Sequence, residues 1–354
     1  MAKVIEVKNL NVTIETNDGP LYAVRGINLD LFKGETLALV GESGSGKSIA
    51  THSLVGLLPR NTNVTADSLA FDGTNLLNLT KRQKQQVRGA KISMIFQDPL
   101  SALNPTMRVG KQIAETLIHH QHINRLTLKQ RVLQQIKEVG IPNPKQTYQK
   151  YPHQLSGGQR QRILIAMALI DHPEVLIADE PTTALDVTIQ AQILQLLKQQ
   201  KQKYGLSMIF ITHDMGVVAS IADRVAVMYA GEIVEVGTAE EIFYHPQHPY
   251  TWGLLEAVPS EQNPDEKLFT LPGTPPDLKT ISKGDPFAPR NPYALDIDFE
   301  QKPPVFQLSD THFVKSWLLD KRTPAYTPPE TIQKRWQTFK ARQRGRLNEA
   351  SISV

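Results

Sequence analysis

The sequence predicts an α/β fold built on a mainly parallel sheet, and three observations predict it. Short apolar runs recur at 36–40 (TLALV), 174–180 (EVLIADE), 207–214 (SMIFITHD) and 224–237 (RVAVMYAGEIVEVG). Helical or turn segments separate them, which is the alternation of parallel strands with helices on the sheet faces. The first of these runs enters a glycine-rich turn, GESGSGKS, followed by a helical stretch through THSLVGLL. From about 81 to 160 the pattern turns helical and polar, rich in Gln, Lys and His, as an inserted helical subdomain would.

Taken in order, residues 4–14 and 27–31 read as short strands, an antiparallel β portion near the N-terminus. Residues 68–79 read as strands and turns. The pattern divides the chain into a main domain over 1–250, with its helical part over about 98–160, an extension over 251–325 and a basic tail over 326–354. Beyond 250 proline becomes frequent, so the extension is expected to be irregular and packed on the core or on a partner. In the tail, QKRWQTFKARQRGR reads as a solvated, partly disordered end, or as an amphipathic helix with Trp336, Phe339 and Leu347 on one side that meets an anionic lipid surface or the partner subunit.

Composition narrows the classes. Forty per cent of the 354 residues are apolar, enough for a sizeable core. No stretch approaches the roughly 18 consecutive apolar residues of a membrane span. The opening MAKVIEVKNL alternates like a strand and lacks the regions of a signal peptide. The expectation is a cytoplasmic chain that meets a membrane only through a partner. There is no cysteine, which excludes disulfides, a thiol nucleophile and a thiolate-ligated cluster. The net charge of +4 is concentrated in 321–354, where eight Lys/Arg face two Glu. The rest is slightly acidic, so nucleic-acid binding is not expected.

Three motifs carry chemistry. Gly41, Glu42, Ser43, Gly44, Ser45, Gly46, Lys47 and Ser48 match G-x-x-x-x-G-K-[ST]. Glycines there let backbone N–H groups turn towards phosphate oxygens, and the following helix N-terminus adds partial positive charge. Lys47 reaches the terminal phosphates and Ser48 offers a hydroxyl to Mg²⁺. At 175–180 an apolar strand ends in two carboxylates. Asp179 suits the metal, and Glu180 is placed to polarise an attacking water. Leu155, Ser156, Gly157, Gly158 and Gln159 precede the apolar helical run 163–169. Ser156 can cap that helix, and the two glycines allow close backbone approach to an anion.

LSGGQ between a phosphate loop and an apolar strand ending Asp-Glu resembles the signature of the ABC ATPase family. The resemblance implies a phosphate-loop ATPase core and supplies further roles. Gln97 (IFQD) falls where the family places a glutamine that senses Mg²⁺ and the attacking water. His213 (FITHD) falls where it has a histidine contacting the terminal phosphate. In PTTALD at 181–186, Asp186 matches the residue that contacts the partner subunit's site. Counting back from YAVRG puts Ile14 where an aromatic usually stacks on adenine. Ile14 offers apolar contact but no π face, and Tyr22 is the nearest aromatic, with ordinary strand packing as its other reading.

QDPLSALNPTMRVGKQI and HPQHPYTWGLLEAVP with LPGTPPDL are similar to ATPases of oligopeptide and dipeptide importers, and the run 151–194, with KSIATHSLVGLLP and the methionine in IAMAL, resembles their D-type subunit. In that group GDPFAPRNPYALDID through THFVKSWLL resembles an extension that commonly holds an iron–sulfur cluster on four cysteines. Here those positions read Asp285, Asn291, Asp298 and Ser316. Oxygen and amide groups are poor ligands for a soft cluster, so no iron–sulfur cluster is expected, and solvated loop positions are.

The resemblance implies ATP and Mg²⁺ as ligands and a head-to-tail pair with a second, non-identical ATPase subunit (F-type). It further implies two membrane permease subunits, an extracellular or periplasmic peptide-binding protein reached indirectly, and a place at the cytoplasmic face of the membrane. Nickel and antimicrobial-peptide transporters, and a soluble non-transport ABC ATPase, remain open at this point.

Overall fold

The computed structural model describes residues 2–121, 123–183, 185–257, 271–280 and 282–352. The elements run β1 (Lys3–Thr16), β2 (Gly19–Phe32), β3 (Thr36–Val40), α1 (Lys47–Val55), β4 (Thr62–Thr65), β5 (Ser68–Phe71), β6 (Thr74–Asn75), α2 (Lys81–Val87) and β7 (Ile92–Ile95). The helical insert follows with α3 (Pro99–Ala102), α4 (Val109–His120), α5 (Arg125–Glu138), α6 (Pro144–Gln149) and α7 (Gly157–Leu169). The chain then returns through β8 (Val175–Asp179), α8 (Val187–Tyr204), β9 (Ser207–Thr212), α9 (Met215–Ile221), β10 (Arg224–Tyr229) and β11 (Glu232–Thr238). Last come α10 (Ala239–Tyr244), α11 (Pro249–Glu256), α12 (Asp296–Glu300), β12 (Val305–Gln307), β13 (Phe313–Lys315) and α13 (Glu330–Ile352).

Two sheets form. The N-terminal one is antiparallel, in the order β2-β1-β5-β6 with β4 also pairing β1. The main sheet runs β12-β13-β11-β10-β3-β9-β8-β7, and its centre from β10 to β7 is parallel. Strands β3, β8 and β9 are buried at every position, as expected of strands covered on both faces.

Alternate residues of those strands serve different cores. Leu37, Leu39, Ile177, Ile209 and Ile211 pack with Ala50, Leu54 and Val55 of α1. Leu176, Ala178, Met208 and Phe210 pack with Ile163, Ile165 and Ala166 of α7. The period-2 side-chain alternation of a strand therefore puts the phosphate-loop helix and the signature helix on opposite faces of one sheet.

Several details differ from the sequence reading. The first two strands reach beyond 4–14 and 27–31, the second by far, because a tight turn at 17–18 joins them into one hairpin. The helical α1 stops at Val55, where Gly56 turns left-handed at φ 61°. The stretch 81–160 is not wholly helical: β7 lies inside it and forms the parallel edge beside β8. Four residues with one serine and one methionine carried too short a pattern to announce a strand. In the extension, β12 and β13 join the main sheet through β11.

The basic tail is helical and docked. Ile332 is fully buried with Trp252 and Leu318, and Trp336 packs against them. The indoles of Trp252 and Trp336 both donate to the Pro246 carbonyl, at 3.0 and 2.8 Å. Phe339 stacks on His245, and Arg342 lies 3.9 Å over the Tyr244 ring. Leu347's side chain lies outside the described residues. Among the described residues no helix is long and apolar enough to cross a membrane.

Candidate nucleotide site

The site assembles where adjacent parallel strands end. The phosphate loop leaves β3, Gln97 follows β7, Asp179 and Glu180 end β8, and His213 follows β9. In open parallel sheets this edge is where ligands bind, because the chain leaves it in loops rather than in ladders.

The phosphate loop needs its glycines. Gly46 has φ 101°, and a Cβ there would lie 2.3 Å from the Ala23 carbonyl oxygen. Lys47 is buried, and its ammonium donates to the carbonyls of Gly41 and Glu42 at 2.7 and 2.8 Å. Burial lowers its pKa, and the carboxylates of Glu180, Asp179 and Glu42 oppose that shift. Ser45 is buried beside it, while Ser43 and Gly44 are exposed.

Across the loop, Ser48 Oγ donates to Asp179 Oδ1 at 3.0 Å. A hydroxyl beside a carboxylate is a hard-oxygen donor set, which suits Mg²⁺. Glu180 sits in the left-handed region at φ 44°, uncommon for a non-glycine, and its N–H donates to Ile211 O at 3.0 Å. Its carboxylate accepts from Gln97 Nε2 at 3.1 Å and lies 3.2 Å from His213 Nδ1. Gln97, Glu180 and His213, far apart in sequence, are thus brought into one hydrogen-bonded group.

Two further side chains contact the paired carboxylates, Thr183 on Glu180 and His52 near Asp179. Thr183 Oγ1 donates to Glu180 Oε2 at 2.9 Å. His52 Nε2 lies 3.5 Å from Asp179 Oδ2, on the helical turn after Ser48. Helical periodicity from Ser48 to His52 could have flagged the second, since i and i+4 share a face. Nothing local marks the first.

The signature segment forms a different surface. Ser156 caps α7: its Oγ accepts from Gln159 N at 3.3 Å, and Gln159 Oε1 accepts from Ser156 N at 3.2 Å. Leu155 is buried and anchors the segment. The two glycines divide their work. A Cβ at Gly157 would meet open space, whereas one at Gly158 would lie 2.8 Å from Ile189 of α8. Asp186 is exposed and caps α8, accepting from Ile189 N at 2.9 Å. The starts of α7 and α8 therefore form one exposed edge, on the sheet face away from α1.

Ile14 and Tyr22 lie on the hairpin, both partly buried. Ile14 pairs with Leu21 and Tyr22 with Thr13, and Tyr22 N donates to Leu278 O at 2.9 Å.

The four positions expected to be solvated are buried instead: Asp285 at 5%, Asn291 at 9%, Asp298 at 2% and Ser316 at 4% exposure. Each caps local backbone. Asp285 accepts from Phe287 N, Asn291 from Tyr293 N, Asp298 from Leu295 N and Ser316 from Leu318 N, at 2.7–3.3 Å. These polar groups are buried because a backbone donor two or three residues away satisfies each.

Phosphate loop, paired carboxylates, glutamine and histidine on one sheet edge, with a glycine-rich helix start facing away, define an ABC-type ATPase cassette. The comparisons agree. The family model described as ABC transporter matches residues 24–183, and that of the oligopeptide/dipeptide transporter C-terminal region matches 234–297. The chain is 54% identical to the dipeptide transport ATP-binding protein DppD of Lactococcus lactis, covering 95% of this chain and 97% of that one. It is also 54% identical to the oligopeptide transport ATP-binding protein OppD of Bacillus subtilis, covering 94% of each. Among solved structures it resembles the ATP-binding cassette MJ0796, a dimer in a post-hydrolysis state with ADP and Pi. There the TM-score is 0.59 at 27% identity, over 66% of this chain and 98% of that one. The chain belongs to the ABC transporter ATP-binding proteins, in the oligopeptide/dipeptide transporter group, and ATP hydrolysis is its reaction.

Proposed function

We propose that this chain drives the import of oligopeptides or dipeptides by hydrolysing ATP at the cytoplasmic face of a membrane. The substrate class rests on the peptide-transport relatives at 54% identity over nearly the whole chain. The site roles rest on the convergence of Gln97 and His213 on Glu180 beside the Ser48–Asp179 pair.

In this reading residues 41–48 wrap the phosphates with backbone N–H groups, and Lys47 turns its ammonium from loop carbonyls to the terminal phosphates. Ser48, Asp179 and the Gln97 amide oxygen would hold Mg²⁺, which neutralises phosphate charge when bound. Glu180 accepts the proton of the attacking water, and Gln97 and Thr183 orient its carboxylate. His213 contacts the terminal phosphate. Ile14 supplies an apolar wall for the base, with Tyr22 as the aromatic alternative.

The signature 155–159 completes a neighbour's nucleotide. This chain's own loop lies on the other sheet face, and the helix start at Ser156 has free N–H groups with open space over Gly157. Asp186, on the same edge, contacts the neighbour. The neighbour is a second, non-identical ATPase subunit. Two permease subunits dock on the helical insert after Gln97, so that a shift there becomes a tilt of rigid bodies. A peptide-binding protein outside the membrane delivers the substrate to them.

The test is Ser156→Arg in the reconstituted transporter. Hydrolysis and peptide uptake should fall severalfold or more, while labelled ATP still binds this chain. Full turnover by the lone chain, indifferent to Ser156→Arg, would overturn the shared-site reading. Uptake of nickel but not of peptides would overturn the substrate class.

A further inference from the structure

Glu42 is an acidic residue inside a loop that receives a triphosphate. Left alone, its carboxylate would repel the ligand. The C-terminal extension supplies the compensation. Arg290 forks onto Glu42, Nη1 to Oε2 at 2.6 Å and Nη2 to Oε1 at 2.9 Å. The Arg290 side chain is 4% exposed and the Glu42 side chain 27%. Arg290 is itself fixed: Nε donates to the Pro272 carbonyl at 2.7 Å, and Nη1 reaches Tyr229 Oη at 3.3 Å. A planar fork held at three points is the geometry that makes an arginine–carboxylate pair rigid.

The same residue of the loop is held twice more. Glu42 N–H donates to Tyr250 Oη at 2.7 Å, and its carbonyl accepts from Lys47 Nζ at 2.8 Å. Tyr250, Tyr229 and Phe287 are buried and touch one another, with ring centroids 4.6–5.4 Å apart. Phe287 and Arg290 belong to the same short segment of the extension. Earlier in the extension, Pro275, Pro276 and Leu278 line a small cavity together with Glu42, Ser43, Gly44 and Ser45 of the loop and with Tyr229 and Ala230.

We propose that the extension is part of the nucleotide site, and that Arg290 is a positioning residue that neutralises Glu42 and holds the phosphate loop in shape. Nucleotide affinity then depends on a residue about 250 positions downstream of the loop. The proposal rests on the nucleotide-site reading above and deepens it.

The charge logic makes the test directional. Arg290→Gln leaves a bare carboxylate beside the phosphates, and binding of a fluorescent ATP analogue to the full chain should weaken about tenfold. Adding Glu42→Gln to that variant removes the repulsion and should restore binding to within about threefold of wild type. The loss in Arg290→Gln should also shrink at high salt, because the Glu42 carboxylate is partly exposed and screened. A residue that only stabilises the fold would lower the melting temperature, show no rescue by the second substitution and leave no salt signature.

Lys47→Ala, measured alongside, separates the two ideas. If Lys47→Ala abolishes binding while Arg290→Gln binds like wild type, the role of the extension is refuted and the site stands. If Lys47→Ala also binds normally, the nucleotide-site reading fails, and this proposal with it. Should Arg290→Gln not fold, Arg290→Lys takes its place, keeping the charge without the fork. Binding about two- to threefold weaker supports the proposal, and binding indistinguishable from wild type overturns the claim that the fork holds the loop in shape.

Discussion

Asp285 occupies a buried place where a carboxylate is costly. Burial pushes its pKa up to about 7, with Asp298 and Glu232 adding repulsion and Lys315 opposing it. A carboxyl whose folded pKa lies above its unfolded value, near 3.9, holds its proton more tightly in the folded chain. Its contribution is therefore full below about pH 4 and is lost as pH rises through about 7. A shift of about three units corresponds to roughly 4 kcal/mol, of which roughly 3 kcal/mol disappears between pH 5 and pH 8. Asp285→Asn removes the titration and keeps an oxygen for Phe287 N, which lies 2.9 Å from Oδ1. The variant should unfold in urea at a higher midpoint than wild type at pH 8, and the advantage should shrink by about 3 kcal/mol at pH 5. Titrating groups that do not interact with Asp285 are common to both proteins and cancel in the comparison. An advantage equal at the two pH values, or one that grows at pH 5, refutes the account.

Glu180→Gln keeps the size of the side chain but removes the proton acceptor, so hydrolysis in the assembled transporter should fall about a hundredfold or more while ATP binding persists. Phosphate release at or near the wild-type rate would count against Glu180 as the base. Trp336→Ala removes an indole that packs on Trp252 and donates to Pro246 O. For a half-buried tryptophan the loss is about 2 kcal/mol, and α13 should become cleavable by trypsin at its arginines. Unchanged digestion would mean that the helix is held by its ion pairs and not by this packing.

The central sheet and phosphate site were legible because their signals are local. TLALV, VLIAD and SMIFIT are fully buried strands whose residues need no polar face, so each reads as a continuous apolar run. The chemical residues sit at the strand ends, where composition changes abruptly: Gly41 after β3, Glu180 after β8, His213 after β9. Gln97 had the right neighbours, but its strand was hidden. With Ser93 and Met94 in a run of four, β7 is too short to show period or length. What makes it a strand is the ladder to β8, a contact with residues more than 80 positions away.

The sequence of the extension hides its packing for the same physical reason, taken further. Asp285, Asn291, Asp298 and Ser316 are polar, and a polar residue among prolines reads as solvated. Burial of each becomes tolerable only because a backbone N–H two or three residues away meets it. Such caps can be guessed from Asp-x-x or Asn-x spacing, but the burial itself follows from how the extension packs, which no local pattern shows. Arg290 was still less visible. An arginine in a proline-rich segment carries no local sign that its partner is the second residue of a phosphate loop at the other end of the chain. The acidic residue at Glu42 was the available clue. A negative charge in a loop proposed to hold phosphates calls for a cation close by, and in the proposed site Lys47 serves the ligand. The cation paired with Glu42 is Arg290, from the extension that lines that side of the loop.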